Sequence, residues 1–69
     1  MKKYVVAVCN LSDSQNTIKV VESDNEVSAV LLAVGDNPEE YEFESVEEVI
    51  QYYYDGDFAV SVPLEVINL

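Results

Sequence analysis

Hydrophobic and polar positions repeat with different periods along the chain, and the changes of period divide it into predicted elements. Residues 4–11 are rich in β-branched side chains and apolar on both faces, as is typical of a central strand. A polar turn follows at residues 12–16, and alternation resumes over residues 17–22, with Ile18 and Val20 on one face. Together these segments predict a β-hairpin.

The spacing of serine and glutamate marks the start of a first helix. Ser23 is followed three positions later by Glu26, the arrangement of a capping box, and Gly35 supplies a left-handed C-terminal cap. We therefore expect a helix over residues 24–34. Its core-facing residues recur at helical spacing: Val27, Val30, Leu31 and Val34.

A second capping box at Ser45 and Glu48 opens a second helix. We expect this helix over residues 46–54, with Gly56 ending it. Its inward residues are again helically spaced: Val46, Val49, Ile50 and Tyr53.

The segment between the helices, residues 36–44, is an acidic linker that contains Pro38. Its last five residues alternate, so a short strand is one interpretation. The favoured interpretation is a loop that tucks Tyr41 and Phe43 onto the core.

The last predicted strand covers residues 58–67, with one face formed by Phe58, Val60, Val62, Leu64 and Val66. Pro63 cannot donate to a ladder, so this strand lies at an edge or carries a bulge. The order β-β-α-α-β makes residues 1–69 a single α+β domain. We expect a three-stranded sheet of order 2-1-3, with both helices on one face and the third strand parallel to the first.

The net charge of the chain excludes some classes of binding partner. The chain carries fourteen acidic residues against three lysines and no arginine, for a net charge of −11. Nucleic acids and anionic membranes are therefore excluded as direct partners, because both are bound by basic side chains. A basic surface on another protein is the expected target.

Catalytic chemistry has little support in the sequence. Cys9 is the lone cysteine and there is no histidine, so no internal disulfide, no usual zinc site and no base for a cysteine nucleophile is available. Asp55-Gly56-Asp57 resembles part of a calcium loop, but a strand follows where the loop should continue. We expect no catalytic residues, no metal site and no cofactor.

Two surfaces are candidates for protein binding. Nine acidic residues fall within residues 36–57, and they form either a solubilising face or a docking surface that imitates a nucleic acid. The residues chosen for this acidic surface are Glu39, Glu40, Glu42, Glu44 and Glu47. Apolar residues left over from the core suggest a partner surface or a homo-oligomer interface. These residues are Leu32, Tyr52, Tyr54, Val5 and Ala7.

The compartment follows from the start of the chain and the cysteine count. Met1-Lys2-Lys3 and the apolar run behind it are too short for a signal peptide, and Asn10 interrupts them. A single cysteine is typical of a reducing compartment, so we expect a cytoplasmic protein.

The size, the acidity, the hairpin opening at residues 3–23 and the ending DGDFAVSVPLE resemble small acidic bacteriophage proteins, including anti-CRISPR and other anti-defence inhibitors. That resemblance implies a stoichiometric inhibitor that binds a host protein in the host cytoplasm. One alternative is a homo-oligomeric accessory or structural protein whose acidity only confers solubility. Another is a protein that sequesters a small ligand in a pocket between subunits near the tyrosines.

Overall fold

The computed structural model describes residues 1–67 and confirms an α+β fold. In this part of the chain the elements, in order, are β1 (Lys2–Asn10), β2 (Gln15–Ser23), α1 (Glu26–Val34), α2 (Val46–Asp55), β3 (Phe58–Val60) and β4 (Leu64–Val66). A 3₁₀ turn at Pro38–Glu40 lies in the linker between the helices. The expected sheet order 2-1-3 is confirmed, and β4 continues along the same side of β1 as β3.

The hairpin of β1 and β2 provides most of the sheet. Its antiparallel register runs without interruption from the Lys2–Ser23 pair to the Asn10–Gln15 pair. The connecting turn is shorter than expected, and Ser14 adopts a left-handed φ of 58° within it. Because both strands are nine residues long, the hairpin forms a platform on which the helices lie.

The direction of the last strand was predicted wrongly, since β3 and β4 run antiparallel to β1. The prediction assumed that the two helices together return the chain to the end of the sheet at which β1 begins. Instead the linker returns along α1, so that Glu44 and Glu48 line the same groove as Asn25 at the start of α1. Both helices then run the same way, and Phe58 enters the sheet opposite Asn10, at the far end of β1.

A bulge divides the last predicted strand into two. Val60 lies opposite Val8 and Leu64 lies opposite Val5, so three residues of this strand face two residues of β1. Pro63 falls within the extra segment, as its missing N–H requires. The expectation that Pro63 marks an edge or a bulge is therefore confirmed.

At the bulge, Ser61 maintains the hydrogen bonding between this strand and β1. Its N–H donates to the Ala7 carbonyl at 2.9 Å, and its Oγ accepts from the Ala7 N–H at 2.9 Å. Beyond this point the faces exchange, because one added residue turns every later side chain to the other side. The prediction that Leu64 and Val66 share a face with Val60 is thus wrong, and both are exposed.

The core lies between the helices and one face of the sheet. It consists of Tyr4, Val6, Val8, Ala29, Val30, Leu31, Ala33, Val49, Tyr53 and Val60. The expected inward residues of both helices are either in this core or half-buried against it. Tyr41 and Phe43 also pack against it, which confirms the linker as a loop with its aromatic side chains turned inward.

The first helix starts two residues later than predicted. Asn25 is its N-cap, with Oδ1 accepting the Ser28 N–H at 2.9 Å. Ser23 was expected to cap the helix, but it pairs with Lys2 as the last residue of β2 and is buried. Ser23 is therefore part of the strand and does not cap the helix. Asn25 caps it instead, and asparagine is as favourable as serine at this position.

Candidate functional site

The acidic residues chosen from the sequence are all exposed and occupy consecutive parts of the linker and α2. Glu39 and Glu40 lie on the 3₁₀ turn, Glu42 and Glu44 on the segment after it, and Glu47 in the first turn of α2. We call these five residues, with Glu48, the acidic surface.

Alternation in the linker separates its acidic side chains from its aromatic ones. Tyr41 and Phe43 are half-buried, whereas Glu40, Glu42 and Glu44 are exposed. Burial of the two rings thus fixes the three carboxylates on the outer side. The same local pattern that anchors the linker therefore displays its charge.

Four aromatic rings hold the linker against α2. Tyr41 stacks on Phe43 with ring centroids 6.0 Å apart, and Tyr52 contacts both rings at 5.9 and 5.4 Å. Tyr53 meets Tyr52 edge to face at 5.2 Å. Such aromatic pairs add stabilisation beyond their buried area, so they anchor the linker segment that carries Glu40, Glu42 and Glu44.

A polar contact ties the start of the linker to the end of α2. The Tyr53 hydroxyl donates to Asp36 Oδ2 at 2.5 Å. Burial of the ring, followed by this hydrogen bond to a carboxylate, raises the pKa of Tyr53 far above its usual value. Tyr53 therefore stays protonated and acts as a structural donor.

An open groove of about 800 Å³ lies between the linker and the first turns of both helices. Glu42, Glu44 and Glu48 line it together with Tyr41 and Phe43. The Glu48 N–H donates to Ser45 Oγ at 3.2 Å, which confirms Ser45 as the cap of α2. The groove combines carboxylates with aromatic faces, which is a chemistry that attracts cationic side chains.

No lysine is among the residues that line this groove. Lys2 Nζ lies 3.8 Å from Oε1 of Glu65 on β4, and this ion pair is the only salt bridge within residues 1–67. Lys3 and Lys19 lie on β1 and β2. Within residues 1–67, none of the six glutamates of the acidic surface is held in an ion pair, although Met1 and Glu39 line the same pocket.

The structure does not gather the predicted apolar residues into one surface. Val5 and Ala7 lie on the sheet face away from the helices, while Leu32 is on α1 and Tyr54 is exposed on α2. Tyr52 covers the aromatic cluster of the linker, although about half of it remains exposed. They thus belong to separate regions.

Four exposed residues complete the apolar sheet face, and the sequence-based selection omitted them. They are Ile18 and Val20 on β2, and Leu64 and Val66 on β4. Ile18 and Val20 were already assigned to one face by alternation. Leu64 and Val66 were missed because the bulge at Pro63 was not carried through to the side chains that follow it.

Sites for chemistry are sparse in the described part of the chain. Cys9 is half-buried, with Asn16 and Ala59 as its neighbours across the strands. Residues 1–67 contain no group of three acidic or cysteine side chains placed to hold a metal ion. Every buried side-chain nitrogen or oxygen in the same range has a hydrogen-bond partner.

Comparison of the chain with protein-family models, with curated proteins and with solved structures gives no match. Within residues 1–67, no helix has the length and apolar character needed to cross a membrane. Function must therefore be inferred from the surfaces themselves.

Proposed function

We propose that this chain is a non-enzymatic protein-binding module whose acidic surface docks on a basic surface of another protein. The observation that carries the proposal is the exposure of six glutamates within residues 39–48, none of which forms an ion pair with a lysine in the described part of the chain. Unbalanced carboxylates repel one another, so their accumulation costs stability unless a partner neutralises them.

The aromatic support makes this surface suitable for docking. The rings of Tyr41, Phe43 and Tyr52 fix the linker before a partner arrives. A surface that is already ordered loses less conformational entropy on binding, which favours affinity. The groove beside Glu42, Glu44 and Glu48 then offers carboxylates and ring faces to an inserted lysine or arginine.

Inhibition is the biological role that best fits such a module. A dense array of carboxylates matches the phosphate-binding surface of a nucleic-acid-handling protein and would exclude its substrate by occupying it. The resemblance to acidic bacteriophage inhibitors supports a host defence or nucleic-acid-handling protein as the target. Association would be rapid at low salt and slower as salt screens the charges.

The test is capture of a partner from a bacterial lysate by three versions of the chain at low and high salt. The docking variant carries Glu40→Gln, Glu42→Gln and Glu44→Gln. The matched control carries Asp13→Asn, Glu22→Gln and Asp57→Asn, which remove equal charge from exposed positions outside the acidic surface.

We expect the natural chain and the control to capture the same basic protein at low salt, while the docking variant loses it. High salt should weaken capture by the natural chain and by the control. Equal capture by both variants would refute docking at the acidic surface. Circular dichroism checks that each variant is folded.

A further inference from the structure

The sheet face opposite the helices is largely apolar, with Asn16 at one end and Lys3 and Glu22 at the other. Alternation and cross-strand register place on it the residues Val5, Ala7, Cys9, Ile18, Val20, Ala59, Leu64 and Val66. Ile18 is 75% exposed, Val20 65% and Leu64 70%, so water covers side chains that elsewhere in folded proteins are usually inside. We call this surface the open sheet face.

Charge is almost excluded from the open sheet face. Lys3 and Glu22 lie on it directly opposite each other, so their charges cancel. The other acidic residues of strands, helices and linker lie on the helix side, in the hairpin turn or at the edge. The molecule thus has one strongly negative side and one neutral, apolar side.

We propose that a second copy of this chain covers the open sheet face, with the two sheets packed face to face. Such a dimer places the two helix layers and their acidic surfaces on the outside, as far apart as the molecule allows. A basic protein would be drawn to the negative side, whereas the neutral side matches a copy of itself. A twofold axis then pairs the same surface on both subunits.

The size of the open sheet face is sufficient for a reversible dimer. The strands β1 and β2 are nine residues long, which makes the face roughly 30 Å long. Its width is roughly 15 Å, because β2, β1 and the pair β3 and β4 lie side by side. Pairing two such faces removes roughly 900 Å² from water in total, which is the size of weak, transient interfaces. The contact thus suits a dimer that dissociates on dilution.

Sedimentation equilibrium of the full chain over a wide concentration range tests the dimer. Ile18→Thr and Leu64→Thr each remove exposed apolar surface, on β2 and on β4 respectively, and threonine is β-branched and therefore suited to a strand. We expect each change to raise the dimer dissociation constant about tenfold. Leu32→Gln, on the exposed side of α1, is the control and should leave the constant unchanged.

The two sites distinguish face packing from pairing through the free edge of β2. Edge pairing would respond to Ile18→Thr but not to Leu64→Thr, because β4 lies at the opposite side of β1. That result, or a monomer at every concentration, overturns the proposal.

Salt separates this proposal from docking at the acidic surface. Added salt should strengthen the dimer, since it screens repulsion between two chains of charge −11. It should weaken docking on a basic partner. Failure of one proposal therefore leaves the other testable.

Discussion

At Tyr53 a single hydroxyl links the pH dependence of stability to the position of the linker. The group keeps its proton in the folded chain above the pKa of about 10 that an unfolded tyrosine has. Above that pH the unfolded state binds fewer protons than the folded state, so stability falls as pH rises. Below it both states are protonated, and the contribution of the hydrogen bond to Asp36 is fully present.

We predict that Tyr53→Phe lowers the free energy of unfolding by about 1–2 kcal/mol at neutral pH, because a hydrogen bond to a carboxylate is lost. The variant should also lose less stability than the natural chain between about pH 9 and 11. Urea unfolding at several pH values measures both effects. Tyr54→Phe is the control because Tyr54 is exposed. If the free energy of unfolding changed with pH in the same way for all three proteins, the prediction would be contradicted.

Single residues were predicted well where a local pattern decides their environment. Tyr41 and Phe43 alternate with glutamates, a pattern that left a short strand as one interpretation, and the favoured interpretation of a loop with its rings on the core is confirmed. Ser23 was predicted wrongly because its role depends on Lys2, which is distant in sequence and adjacent in the sheet. Capping sequences compete with strand pairing, and pairing is not visible in a local window.

At the scale of elements, the ends of the two helices differ although glycine follows both. Gly35 has a φ of 109° and donates to the Leu31 carbonyl, as in a left-handed cap. Gly56 has a φ of −99°, and the left-handed conformation falls on Asp57 instead. Only the first helix therefore requires glycine at its end.

We predict that Gly35→Ala costs about 1 kcal/mol or more, while Gly56→Ala is neutral or slightly stabilising. No atom would obstruct a Cβ at Gly35, so the cost there is purely conformational. A Cβ at Gly56 would meet the Tyr53 carbonyl oxygen at 3.5 Å, an ordinary contact. Thermal unfolding of both variants measures the difference, and equal losses of stability would contradict it.

Strand direction is an element-scale property that the sequence could not determine. The helices were located to within two residues, yet the path of the linker decides at which end of β1 the chain re-enters the sheet. Pro63 was expected to mark an edge or a bulge, but the consequence of the bulge for Leu64 required the register of both β3 and β4. Hydrophobic periodicity and capping residues predict the existence of helices and strands better than their relative directions.

The whole molecule separates its charge from its exposed apolar surface, and this separation links the two proposals. The alternation of side chains along β1 predicted an apolar face, and the number of acidic residues predicted a negatively charged surface. Neither pattern shows that the two lie on opposite sides. That arrangement depends on both helices covering the same face of the sheet, and it allows one surface to self-associate while the other binds a partner.

Charge repulsion at the acidic surface gives the last prediction. Glu40, Glu42 and Glu44 are spaced two residues apart, roughly 7 Å in extended backbone. Neighbouring carboxylates at that distance repel by about 0.6 kcal/mol in water, and the distance is within the screening length at physiological salt. We therefore expect the triple glutamine variant to be about 1 kcal/mol more stable than the natural chain at low salt, with the gain shrinking as salt is added. The charge-matched control at Asp13, Glu22 and Asp57 should gain less, because its acids are dispersed over the fold. Urea unfolding in a salt series measures these differences. A triple variant that is less stable than the natural chain at low salt would show that these glutamates support the fold, and loss of partner capture by that variant would then no longer indicate docking.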